Sequence, residues 1–240
     1  MIRISASAFD ILWSDLGPAR PPAPLRVRSV GSTERERAEI REAVYDNLAE
    51  RELFAGGRLD PELVARLETL AGADLYVECE ALTGLDDDLP VRAVAAAGRK
   101  RAVLAVQPSR TIGLSAIRDT EIWAAAVGLL PPLEPGPGFG VSLPASVLGS
   151  PVEDPLPASY RKQLAEVLTI QSRPVLGAGQ FSVRVREGGR VRRAGGVSWF
   201  VTDVGAYLGT VVPGRGGQDW VTVTPADPGR VASRLAGLVP

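Results

Sequence analysis

The 240-residue chain has no histidine and a single cysteine, and both shortages exclude classes of function. Without histidine there is no Ser-His-Asp or Cys-His nucleophile system, no histidine-ligated metal and no ordinary general base near neutral pH. Cys79 alone cannot form an intramolecular disulfide, which is consistent with a reducing compartment. The composition therefore predicts a protein that is not an enzyme and that needs no cofactor.

The chain also lacks a long apolar run and a net charge of either sign. No stretch approaches the run of about 20 apolar residues that a membrane helix needs, although hydrophobic residues make up 45% of the chain, enough for a sizeable core. Residues 1–5 lack the basic region, apolar core and cleavage site of a secretory signal. The formal net charge of −1 produces no overall field that attracts nucleic acid or an acidic membrane. These features predict a cytoplasmic protein without membrane insertion.

Helix and strand signals are clear in the first half of the chain. Ser7 is placed to cap a helix over 8–16, Thr33 and Glu36 form a capping box, and Asp60-Pro61 begins a further helix. From residue 74 onward, apolar and polar residues alternate with a period of two between turn residues. This alternation predicts strands that end before a helix capped by Asp119 or Thr120. The predicted strands lie near 74–82, 90–97, 101–107 and 111–117.

A proline- and glycine-rich segment over 131–154 is predicted to be a linker, and the same order of elements recurs after it. A helix precedes strands near 179–186, 190–201, 206–212 and 219–224, and a last helix starts at Thr224-Pro225. The halves, about 1–132 and 155–240, therefore each contain a helix, four strands and a helix. This repeated order indicates duplication and a pseudo-twofold arrangement.

The turn lengths and the repeat together predict the fold class. Strands joined by short turns must be antiparallel neighbours, because a parallel crossover needs about a dozen residues or more. Helices packed on such strands give an α+β fold with a central antiparallel β-sheet flanked by helical bundles. Edge-to-edge pairing of the two halves leaves fewer exposed strand edges. We therefore expect a single domain over 1–240.

An acidic turn lies between the first two predicted strands. Asp86, Asp87 and Asp88 are flanked there by Leu85 and Leu89. The glycine and the twelfth position of an EF-hand loop do not match, so the spacing does not indicate a calcium site. A solvated turn explains the triplet, and contact with a protein partner is the other interpretation.

Five arginines cluster on a predicted hairpin that turns at Gly188-Gly189: Arg184, Arg186, Arg190, Arg192 and Arg193. Val183 and Val185 alternate with the first of them, which predicts a buried valine face and a solvated arginine face. A nucleic-acid site is the alternative, and five phosphate contacts would give a salt slope of about −4.5. No aromatic residue is interleaved to stack on bases. A further alternative is a small enzyme that uses Asp, Glu and Arg chemistry, which requires a concave pocket where such side chains converge.

Four segments carry a resemblance to a known family: Phe9-Asp10-Ile11-Leu12-Trp13, Arg101-Ala102-Val103-Leu104-Ala105-Val106, Val197-Ser198-Trp199-Phe200 and Asp219-Trp220-Val221-Thr222-Val223-Thr224-Pro225-Ala226-Asp227. In this order and spacing the chain resembles the EspG family of ESX (type VII) secretion-associated proteins from actinobacteria. The resemblance implies a cytosolic chaperone that binds a helical secretion substrate before export. The partner would be a helical secreted protein or heterodimer, either PE/PPE-like or another ESX substrate.

The family also implies a central antiparallel sheet with helical bundles in a pseudo-twofold arrangement, in agreement with the repeat. A helical client with an apolar tip calls for a surface with an apolar centre and a polar rim. The residues predicted to contact it are Leu85, Asp86, Asp87, Asp88 and Leu89 at the rim, and Trp199 and Phe200 at the centre. Core packing explains the two aromatic residues equally well.

Overall fold

The computed structural model describes residues 1–17, 20–84, 89–149, 158–214 and 217–239. Its helices are α1 Ala6–Leu16, α2 Glu34–Glu50, α3 Pro61–Gly72, α4 Ile122–Val127, α5 Ala145–Gly149, α6 Ala158–Gln171 and α7 Pro228–Ala236. Its strands are β1 Ile2–Ser5, β2 Phe54–Ala55, β3 Arg58–Leu59, β4 Leu75–Leu82, β5 Val91–Gly98, β6 Arg101–Gln107, β7 Thr111–Ile117, β8 Val141–Pro144, β9 Val175–Glu187, β10 Arg190–Thr202, β11 Gly205–Pro213 and β12 Asp219–Pro225.

Ten of these strands form one sheet in the order β1-β7-β6-β5-β4-β9-β10-β11-β12-β8, and every neighbouring pair is antiparallel. The strands β4 and β9 pair along their length at the centre and join the two halves of the chain. The α+β class with a central antiparallel sheet is confirmed. Outward from the centre, the first half has β4 to β7 followed by the short strand β1, and the second half has β9 to β12 followed by the short strand β8 of the predicted linker. A rotation that relates the halves stays a prediction.

Side chains at the helix starts explain where several helices begin. The hydroxyl of Ser5 accepts a hydrogen bond from the amide of Ala8 at 3.0 Å, so the cap of α1 lies two residues before the predicted Ser7. Asp60 caps α3 as expected. The last helix begins later than predicted, because β12 continues to Pro225 and Asp227 caps α7. None of the helices in the described ranges is both long and apolar enough to span a bilayer.

Helices cover both faces of the sheet. The helices α1, α2 and α3 pack on the first half of one face, where Phe9, Leu48 and Leu67 are fully buried. On the other face α4 and α7 pack on each other and on the strands of both halves, with Val231 and Leu235 at 0% exposure. Because successive side chains of a strand point to opposite faces, the even-numbered residues of β4, β9 and the second part of β10 face away from α4 and α7. We call this side of the sheet the open face.

Part of the predicted linker belongs to the sheet. Val141–Pro144 forms the edge strand β8 and pairs with β12. Before it, the hydroxyl of Tyr207 donates a hydrogen bond to the carbonyl oxygen of Pro137 at 3.1 Å. Gly136 lies so close that a Cβ atom there would be 2.3 Å from the ring of Tyr207. This segment therefore packs on the open face of β11.

Candidate protein-binding surface

The predicted rim lies in the connection between β4 and β5. Leu85, Asp86, Asp87 and Asp88 lie outside the described residues, so their contact with a partner stays a prediction. Leu89 is described, and its side chain is 56% exposed. The connection leaves β4 beside the start of β9, because Leu82 pairs with Ala178. We call this the loop end of the sheet.

The two predicted aromatic residues lie on opposite faces. Trp199 is 1% exposed and belongs to the core beneath α4 and α7. Phe200 is half-buried on the open face, where its ring stacks on that of Tyr207 with centroids 5.5 Å apart. It pairs with Ala178, which in turn pairs with Leu82. Of the two aromatic residues, Phe200 is therefore the one that can reach a partner, and it lies at the end of the sheet where β4 leads into the predicted rim.

Two leucines that sequence reasoning did not select extend this apolar surface. Leu176, at the start of β9, is 50% exposed. Leu168, in the last turn of the α6 helix that leads into β9, is 52% exposed. The sequence contained an indication of Leu168, because Val167 and Leu168 are neighbours in a helix and their side chains cannot both face the same core. In the structure Val167 is buried and Leu168 is exposed. We call Leu89, Leu168, Leu176 and Phe200 together the loop-end surface, because Leu89 precedes β5, Leu168 and Leu176 lie on either side of the turn into β9, and Phe200 pairs with Ala178 near the start of β9.

A polar groove crosses the middle of the open face. One part, with a volume of about 340 Å³, is lined by Glu78, Glu80, Gln180, Ser182, Arg184 and Arg193 under residues 23 and 24. A second part of about 430 Å³ shares Glu78 and Arg184 and adds Trp13, Arg20, Arg186 and Val191. We call the two parts together the central groove. Apart from Arg20, which lies in the connection after α1, these polar side chains come from β4 of the first half and from β9 and β10 of the second.

Both carboxylates in the central groove are paired with arginine. Arg184 Nε lies 2.8 Å from Glu78 Oε1, and Arg92 Nε lies 3.0 Å from Glu80 Oε1. Burial raises the pKa of Glu78, although Arg184 and Arg193 act in the opposite direction. Glu78 is therefore easier to protonate than an exposed glutamate, and each carboxylate has an arginine that balances its charge.

The central groove meets the geometric condition of the enzyme alternative, since acidic, basic and hydroxyl side chains converge there. Their chemistry does not activate a nucleophile. The hydroxyl of Ser182 accepts a hydrogen bond from Arg193 Nε at 3.1 Å instead of donating one to a carboxylate. Burial, and secondly Glu80, raise the pKa of the Cys79 thiol to about 12, so the thiol stays protonated. The arrangement is suited to binding charged groups.

The arginine hairpin is engaged within the protein. Val183 and Val185 are buried as predicted. Arg184 pairs with Glu78, Arg192 with Glu187, and Arg193 binds Ser182. Internal carboxylates and carbonyl groups hold Arg184, Arg186 and Arg192, so the hairpin does not offer the five phosphate contacts of the nucleic-acid alternative.

Arg186 holds the two halves together in a way that the sequence did not indicate. Its guanidinium donates to the carbonyl oxygens of Ala71 and Ala73 and to the hydroxyl of Tyr76. It thereby satisfies orphan carbonyl groups at the end of α3. A residue of the second half thus caps a helix of the first.

Comparisons with known proteins were made for the whole chain. The model of the EspG family matches residues 5–237. Among solved structures 15 chains match, and one is the Mycobacterium tuberculosis type VII secretion system chaperone EspG5 in complex with the PE25–PPE41 dimer. The match has 15% sequence identity, covers 99% of this chain and 95% of that chain, and has a TM-score of 0.71, so it shows the same fold. A comparison with curated protein sequences found no match.

Proposed function

Because the chain belongs to the EspG family, we propose that it is a cytoplasmic, non-catalytic chaperone that binds a helical type VII secretion substrate. The client would be a PE–PPE-like heterodimer, the kind of partner bound to the EspG5 chaperone in the solved structure. Binding would keep an aggregation-prone helical tip covered until export. Binding of the client makes and breaks no covalent bond.

The observation that carries this proposal is the loop-end surface. Monomeric proteins normally bury large apolar side chains, and a group of exposed ones marks an interaction site. Here Leu89 and Leu176 are exposed at the loop end of the sheet, one before β5 and the other at the start of β9, and Phe200 is half-buried on the neighbouring strand β10. A rigid apolar centre beside a polar connection is the arrangement that binds an apolar helix tip.

The acidic connection supplies the polar rim in this proposal. Asp86, Asp87 and Asp88 lie between two leucines in the sequence, and one of these leucines, Leu89, is exposed and belongs to the loop-end surface. Charged residues at the rim of an interface mainly change the rate of association and its dependence on salt. The triplet would therefore steer a client that carries basic residues near its apolar tip.

Charge reversal tests this role of the triplet. Changing Asp86, Asp87 and Asp88 together to lysine is expected to weaken client binding about tenfold, which corresponds to about 1.4 kcal/mol, mainly through a slower association rate. The midpoint of thermal unfolding should stay close to that of the wild type, because surface substitutions in a segment predicted to be solvated change stability little. Surface plasmon resonance with an immobilised PE–PPE heterodimer from the same genome measures both rate constants.

The control variant carries the same change of charge elsewhere. Glu42, Asp46 and Glu50 are exposed on α2, outside the loop-end surface. Changing these three residues to lysine should leave the association rate close to that of the wild type. Equal weakening by both variants would mean that net charge alone steers the client and that the connection between β4 and β5 has no specific role.

A further inference from the structure

We propose that the central groove is a second binding site, and that it takes an extended acidic segment of a partner protein. Within β4 the groove extends from Tyr76 to Glu80, a distance of about 13 Å at roughly 3.3 Å per residue. This length matches about four residues of extended peptide. Because β4 and β9 are hydrogen-bonded on both sides, the peptide cannot join the sheet as a strand. The side chains of the groove must therefore recognise it.

Charge determines what the groove attracts. The described basic residues that line it or pair with its carboxylates are Arg20, Arg26, Arg92, Arg184, Arg186 and Arg193, against the acidic Glu78 and Glu80. The groove is thus strongly positive on a chain whose formal net charge is −1. Local positive potential in a cleft concentrates anionic ligands even when the whole protein is nearly neutral.

Two of these arginines are placed to bind a ligand. Arg20 and Arg193 are both exposed, and the hydrogen bond of Arg193 in the groove is to the neutral hydroxyl of Ser182, while Glu78 acts on it only through space. A guanidinium binds a carboxylate more strongly than a neutral hydroxyl, and it does so with two parallel hydrogen bonds. A carboxylate side chain in the groove would therefore improve the hydrogen bonding of Arg193 and supply a partner of opposite charge to Arg20.

A tryptophan in the wall of the groove can report on binding. Trp13 lines the groove, and its side chain is mostly buried in the core beneath. Its Nε1 atom is buried too completely to bond a ligand in the groove, but a peptide bound against the indole would change its surroundings.

The walls favour a peptide over a small anion. Trp13, Leu70 and Val191 give one part of the groove an apolar lining, which suits the aliphatic portion of peptide side chains. Gln180 and Ser182 in the other part can bond peptide amides and carbonyls. A small anion such as phosphate uses neither feature. We therefore assign the groove to a segment in which acidic residues alternate with small residues.

We take the acidic segment to be part of the secretion client, and this step rests on the proposed function. The groove itself can be tested without a client. The probe is an acetylated and amidated hexapeptide of alternating glutamate and serine, measured by isothermal titration calorimetry at low salt. We expect binding that weakens as salt is added, and no binding of the same peptide with glutamine in place of glutamate.

The site of binding is tested with variants and with an NMR signal. Changing Arg20 and Arg193 to glutamate should weaken peptide binding at least tenfold, while the Arg190→Glu variant, with its change at the exposed hairpin tip, should bind like the wild type. In a proton–nitrogen correlation spectrum, peptide should shift the indole signal of Trp13, which the Trp13→Phe variant assigns. Equal weakening by the Arg190 variant, an unmoved Trp13 signal, or displacement of the peptide by an equal concentration of inorganic phosphate would overturn the proposal.

The two proposals fail in different ways. Peptide binding in the groove without binding of a PE–PPE heterodimer would keep the acidic-segment site and reject the client. Binding of the heterodimer that is insensitive to the Arg20 and Arg193 changes, together with no peptide binding, would keep the chaperone function and reject the groove.

Discussion

Replacing Trp199 by alanine is expected to lower the free energy of unfolding by about 3–5 kcal/mol, the usual cost of removing a large aromatic side chain from a core. Trp199 is 1% exposed and belongs to the same buried cluster as Phe181, Val231 and Leu235. Its indole lies directly over the central strands, because a Cβ atom at Gly179 would be 2.8 Å from Trp199 Nε1. The cavity would therefore open where α7 packs on β10. Urea denaturation followed by circular dichroism measures the loss.

Client binding by the Trp199→Ala variant distinguishes a role of Trp199 in the core from a role in the interface. Below its unfolding transition, the Trp199→Ala variant should bind a PE–PPE heterodimer nearly as well as the wild type, because the side chain is on the face opposite Phe200. Trp220 is half-buried near the sheet edge, and its change to alanine should cost clearly less stability. A Trp199→Ala protein of unchanged stability that no longer binds the heterodimer would place Trp199 in the interface instead.

Replacing Phe200 by threonine is expected to weaken client binding at least about 30-fold, which corresponds to roughly 2 kcal/mol, the level that defines an interface hot spot. Phe200 is the aromatic residue of the loop-end surface, and its ring stacks on that of Tyr207. A rigid aromatic ring offers contact area with little entropy to lose on binding. Threonine introduces a β-branched side chain that also suits a strand, so stability should fall by only about 1–2 kcal/mol.

A matched substitution separates a local effect on binding from a general effect of losing an apolar strand residue. Val212 is 42% exposed on β11, and by alternation it faces away from Tyr207. The Val212→Thr variant should bind the heterodimer like the wild type. If both variants lose less than threefold in affinity, measured by the same equilibrium titration, the open face does not carry the interface.

The regular elements of the fold are predictable from the sequence because local signals determine them. The caps at Thr33 and Asp60 and the alternation after residue 74 depend on neighbours in the chain, and the structure agrees with them. The edge strand β8 is different. Its four residues lie among prolines and glycines, and only pairing with β12 makes them a strand. A tertiary contact of this kind leaves almost no local pattern.

The candidate site is less predictable because it depends on which face of the sheet the helices cover. The period of two shows that Trp199 and Phe200 face opposite sides, but it does not show which side α7 covers. The central groove is less visible still. Glu78 and Arg184 meet only because β4 pairs with β9 in one register, and no feature of either segment specifies that register alone. The connection between β4 and β5 is different, because its triplet of aspartates is a local signal that the sequence shows directly.

Hydrogen–deuterium exchange on the complex with a PE–PPE heterodimer is the most direct test of the claim that the open face binds the client. The account predicts a stable complex with slower exchange in residues 83–90, at 175–182 in β9 and at 196–202 in β10. Exchange in α4 and α7 should stay unchanged, because these helices cover the other face. Slower exchange confined to α4 and α7, or no complex at micromolar concentrations, would contradict the account.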